Sequence, residues 1–92
     1  MSNDRLLSVL ADARALLARP GNDFSWSRWD NAREAVVEMD QLAAKPSVQE
    51  LRLLFAPTGP IQEVSLPSGW GGDFLLLACR FDAAIEQGLW AT

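Results

Sequence analysis

The sequence predicts an all-α fold, a single domain over 1–92. It reads as a small bundle of four main helices with a short extra helix at about 60–66. Three observations carry this. Apolar residues recur at three- and four-residue intervals in separate stretches, the spacing of one helix face. Prolines, glycines and capping residues stand between those stretches. The only alternating segment, Val64 to Leu66, has no second strand signal to pair with. At 92 residues and 10.1 kDa the chain makes one domain, with roughly 5,300 Å² exposed when folded.

In the first helix, Asn3 or Asp4 serves as the cap. Leu6, Val9, Leu10, Ala13, Leu16 and Leu17 form its apolar face, and Arg19 falls in its last turn, where a cation suits the helix dipole. Pro20-Gly21 ends it. Ser27 and Asp30 then resemble a capping box for a second helix running to about Ala44. Its expected buried stripe is Trp29, Ala32, Val36, Met39 and Ala43. Asp30, Glu34 and Glu38 form an acidic stripe about 160° away, at ~100° per residue.

Ser47-Val48-Gln49-Glu50 is an S-x-x-E capping box. The short third helix turns Val48, Leu51, Leu54 and Phe55 inward and ends at Pro57-Thr58-Gly59-Pro60. Ile61, Val64 and Ser65 read as one helical turn capped by Thr58, and Pro67-Ser68-Gly69 as a loop.

The stretch from Gly69 to Trp90 holds the longest apolar run and reads as the central helix. Phe74, Leu77, Ala78, Phe81 and Ile85 make its core face, while Leu76, Cys79 and Ala83 fall on roughly the opposite face. Gly88 sits just past its end, with Leu89 folding back on the last turn and Trp90 over the bundle end. The second apolar face admits two outcomes: a homodimer seam made by Leu76, Cys79 and Ala83, or an internal face covered by Ile61 to Leu66.

Composition excludes more than it assigns. There is no histidine and one cysteine. That removes the commonest general base, the commonest metal ligand and every Ser-His or Cys-His pair. No catalytic residue, metal site or cofactor is expected, and the chain reads as a non-enzyme. A net charge of −4, with one Lys and seven scattered Arg, argues against nucleic acid as a partner. The six-residue apolar run is far short of the ~20 needed to span a bilayer. No signal peptide is expected from Met1-Ser2-Asn3-Asp4, so the location expected is cytoplasmic. Arginine-rich usage without tyrosine suggests a bacterial source.

Each remaining candidate has a plain structural reading beside the functional one. The acidic stripe Asp30, Glu34 and Glu38 is a solvated face or a docking surface for a basic protein. Cys79, mid-helix between Ala78 and Arg80, reads as an inert buried thiol. The glycine-rich Gly69-Trp70-Gly71-Gly72-Asp73 lacks the Lys-Ser/Thr of a phosphate loop and reads as room for Trp70 to pack. Trp26, Trp70 and Trp90 are lids on the bundle or contact residues, and Arg33 is placed to stack on Trp29. The leading expectation is a non-enzymatic protein-binding module of the immunity or antitoxin kind, using Asp30, Glu34, Glu38, Trp26 and Trp70. The alternative is a self-associating, homodimeric structural or accessory protein.

Overall fold

Five helices make up the computed structural model, which describes residues 4–88, with side chains as far as Glu86. They are α1 (Asp4–Leu17), α2 (Ala32–Ala44), α3 (Val48–Leu54), α4 (Pro60–Ser68) and α5 (Gly71–Gly88). No strand occurs among the described residues. α1 lies between α2 and α5, α5 also packs on α4, and α4 touches α3. Phe55, just after α3, stacks on Phe81 of α5 with ring centroids 4.6 Å apart, tying α3 to the same core. The central helix expected from Gly69 to Trp90 is thus flanked chiefly by α1 and α4. α5 meets its neighbours through one face, because only four other, shorter helices are available to cover it. The exposed surface is 5540 Å², close to the value expected from mass alone.

α1 buries the six residues its periodicity selects, Leu6, Val9, Leu10, Ala13, Leu16 and Leu17. Arg14, not Arg19, lies in its last turn. The end of the helix is held by Asn22, whose amide nitrogen donates to the carbonyls of Leu16 (2.8 Å) and Leu17 (3.1 Å). These are carbonyls with no partner of their own within the helix. Gly21, at φ 87°, makes the turn that brings Asn22 back.

α2 starts later than Ser27. Asn31 is the cap, accepting from the backbone N–H of Glu34 at 3.1 Å, and Glu34 reaches back to accept from the N–H of Asp30 at 2.9 Å. This is a capping box shifted by one residue at its return bond. Ser27 instead shapes a turn, its hydroxyl accepting from the N–H of Trp29 at 3.1 Å. The late start lets Trp29 enter the core before the helix begins, at 3% exposure. The buried residues of α2 become Ala35, Met39 and Leu42, with Ala32, Val36 and Ala43 half-buried beside them. The buried face is thus rotated by about 60° from the expected one.

Ser47 caps α3 as expected, accepting from the N–H of Glu50. Leu51, Leu54 and Phe55 are buried and Val48 is half-buried. α4 is longer than one turn. Its cap is Gly59 and not Thr58, with Pro60 at the first helical position, where no N–H is needed. Ile61, Val64 and Ser65 face inward, and the Ser65 hydroxyl donates to the carbonyl of Gln62 at 2.9 Å. The loop expected at Pro67-Ser68 is helix. Pro67 sits in the last turn, where its missing N–H removes one bond only. Gly69, at φ 87°, closes α4 with a Schellman pair: Trp70 N–H to Ser65 carbonyl at 3.0 Å, Gly69 N–H to Leu66 carbonyl at 3.3 Å.

α5 follows at once, and Gly71 and Gly72 form its first turn rather than a loop. Phe74, Leu77, Phe81, Ala84 and Ile85 are buried, with Ala78 half-buried. The readings made for Asn3, Leu89 and Trp90 lie outside the described residues, and α5 runs to the last of these, Gly88.

Candidate functional site

The outward face of α5 carries two of the exposed large apolar residues, Leu75 and Leu76. α5 meets α1 and α4 with Phe74, Leu77, Phe81 and Ile85 buried, and its residues on the other side are exposed. Leu75 is 61% and Leu76 66% exposed. Cys79 and Ala83 are exposed with them. Cys79 is therefore no buried thiol, a correction that follows from its position about 140° around the helix from Phe74. Ile61 to Leu66 does not cover this face. That segment packs on α5 from the core side, and its own Leu66 is 63% exposed. Leu66 lies against the start of α5: a Cβ built on Gly71 would meet its Cδ2 at 3.0 Å. Leu66 thus adds exposed apolar surface beside the first turn of α5.

Charges border this surface on both sides. Asp73 and Arg80 occupy the flank towards α1, where they and Leu76 line a hollow with Asp12, Ala15 and Arg19. Arg80 donates through Nη1 to Asp12 at 2.7 Å and through Nη2 to the Ser8 hydroxyl at 3.2 Å. Asp82 and Glu86 occupy the other flank, near Arg52 and the edges of Phe55 and Phe81. Sequence reading named Leu76, Cys79 and Ala83 but missed Leu75 and Leu66. The signal for Leu75 was present: Asp82 and Glu86 stand seven and eleven residues on, marking its face as solvated.

The acidic stripe does not survive folding as a stripe. Asp30 precedes α2 and is not on it. Glu34 supplies the return bond of the capping box, accepting from the N–H of Asp30. Glu38 is half-buried, its Oε1 accepting from Trp29 Nε1 at 3.0 Å and its Oε2 paired with Arg28. The shift in α2 that buried Trp29 also turned Glu38 towards it. Arg28, not Arg33, lies over the Trp29 ring, 5.6 Å from its centroid.

Nor do the tryptophans form one surface. Trp70 is buried at 4% exposure, its Nε1 donating to Asn22 Oδ1 at 2.9 Å, so it is unavailable as a contact residue. Trp26, on the loop between α1 and α2, is 73% exposed and is no lid. The hollow beside that loop is lined by Arg19, Asn22, Asp23, Phe24 and Asp30. Hydrogen bonds from Ser25, hydroxyl first and backbone N–H second, hold the Asp23 carboxyl below the usual carboxylate range. No buried polar side-chain atom among the described residues lacks a hydrogen-bond partner, so no such group calls for a ligand in the hollow. No three His, Cys, Asp or Glu side chains among those residues converge to hold a metal ion. No described helix is long and apolar enough to cross a membrane.

Fold and surface together define a small all-α domain in which, among the described residues, α5 exposes apolar side chains on its outward face. Compared with protein-family models, curated proteins and solved structures, the chain matches none of them.

Proposed function

We propose that this protein is a non-enzymatic binding module that docks another protein chain on the outward face of α5. The observation that carries the reading is the exposure of Leu75 and Leu76 beside Cys79 and Ala83, with Leu66 exposed beside the first turn of α5. Contiguous apolar surface of this kind, rimmed by charge, marks a protein–protein site on a globular domain. The setting is the bacterial cytoplasm, and nucleic acid is not the partner. An immunity or antitoxin role against a basic protein is one form of this reading, supported by the net charge of −4. The acidic residues of α2 support it less, because Glu34 and Glu38 already serve internal partners.

Leu76→Glu tests the site. Leu76 is outside the core, so the variant is expected to keep wild-type helicity and thermal stability while losing association. The assay is affinity capture with wild-type and variant baits at low and high salt. Apolar docking persists as salt rises, whereas a purely electrostatic contact weakens. Association that is equally strong in the variant would place the docking surface elsewhere, and unfolding of the variant would mean that Leu76 belongs to the core.

A further inference from the structure

We infer that the occupant of this face is a second copy of the chain, its α5 lying antiparallel to the first about a two-fold axis near Leu76 and Leu77. This rests on the reading of α5 as the docking face. The inference comes from how charge is arranged along one flank. Asp73 and Arg80 are seven residues apart, so they lie on the same side of α5, about one turn either side of Leu76–Leu77. In a two-fold antiparallel pair each flank faces its own copy, as an isologous contact requires. Arg80 then comes level with Asp73 of the partner subunit, and Asp73 with Arg80 of the partner subunit. Opposite charges meet twice. Asp73 has no ion pair within the described residues. Arg80 uses Nη1 and Nη2 on Asp12 and Ser8, which leaves its Nε–H free to donate.

Charge also selects this register against its nearest competitor. An axis at Cys79–Arg80 would set Leu76 against Ala83 of the partner subunit, but it would also bring the two Arg80 side chains together. Flanking charges fix register and orientation in helix pairs by this kind of difference. With the axis at Leu76–Leu77, the two Leu76 side chains meet at the centre. Leu66 lies beside the first turn of α5, on the Asp82 flank and away from the centre of the contact. On the far flank, Asp82 comes level with the first turn of the partner subunit's α5, where a carboxylate suits the helix dipole. The 18 residues of α5 give a seam about 27 Å long and one helix wide. That is small beside the ~800 Å² per partner of a standard interface, so the dimer is a weak, concentration-dependent one.

Sedimentation or light scattering from about ten to several hundred micromolar tests this, over the range in which a weak interface fills. Wild type is expected to pass from monomer to dimer. Asp73→Arg and Arg80→Asp are each expected to weaken the dimer about tenfold or more, and the double swap to restore it. In a Cys79→Ser background, Leu76→Cys is expected to form a disulfide dimer on mild oxidation, because that position sits at the axis. Cys79 in the wild-type chain, about 7 Å along the helix from its counterpart's level, is expected to cross-link poorly. Circular dichroism on each variant separates loss of pairing from loss of fold. A wild type that stays monomeric throughout, or a double swap that fails to restore the dimer, overturns the homodimer. If a different protein is then captured through Leu76, the docking face stands and only its occupant was wrong.

Discussion

Asn22 joins three parts of the chain through one side chain. Its amide nitrogen caps α1 and its oxygen accepts the indole N–H of buried Trp70. Asn22→Ala therefore removes three hydrogen bonds and strands a buried donor. The expected loss is about 1–3 kcal/mol, read from urea denaturation. Trp70→Phe should lose less of its stability through this site, since it removes the donor along with the bond. At Phe81 the dominant effect is packing. The ring is 2% exposed and stacked on Phe55. Phe81→Ala is expected to cost about 3–5 kcal/mol through lost contact and a residual cavity. A measured loss under about 1 kcal/mol would contradict the burial. Periodicity made Phe81 legible, because its face repeats along one helix. Asn22 was not legible as more than a turn residue, because its partners are Leu16, Leu17 and a tryptophan 48 positions away.

Among the elements, the joint between α3 and α4 leaves no room for a side chain at Gly59. Gly59 is buried, and a Cβ there would lie 2.2 Å from the carbonyl oxygen of Leu53 and 2.9 Å from that of Leu54. Both are backbone atoms, so relief requires the chain itself to move. Gly59→Ala is expected to destabilise by about 1–3 kcal/mol, the scale of an overpacked site. Gly72 is the opposite case. It lies in the first turn of α5 with nothing within 4 Å of its Cβ position. Gly72→Ala should be neutral or stabilising by up to about 1 kcal/mol, since alanine loses less chain entropy in a helix. Thermal unfolding of the two variants should shift in opposite directions, and equal shifts would sink this account. The same pair shows what a sequence hides. Two glycines beside α-helical stretches look alike until the neighbouring carbonyls are in place.

For the whole molecule, one core cluster runs from α1 through Trp29 to α5 and includes Phe55 and Ile61. Two ion pairs tie α1 to its neighbours, Arg14 to Asp40 and Arg80 to Asp12. Each is about half exposed, so neither is a large source of stability. The core is expected to unfold as a unit, with circular dichroism and tryptophan fluorescence giving coincident transitions. Separate transitions would show that α3 and α4 form an independent unit.

Sequence alone determined the helical class and the inward faces of α1, α3, α4 and α5. Those depend on a 3.6-residue period and on caps such as Ser47, which are local properties. Tertiary structure decided the rest. Burying Trp29 moved the start of α2 to Ala32, turned the helix and dispersed Asp30, Glu34 and Glu38 into separate roles. Trp70 went inside because Asn22 was there to accept its N–H. Leu75, Leu76 and Cys79 stayed outside because α5 meets α1 and α4 with Phe74, Leu77, Phe81 and Ile85 buried. A helix with two apolar faces does not specify whether its neighbours will cover both. That choice is made by the number and placement of the other helices, and it left the outward face of α5 open.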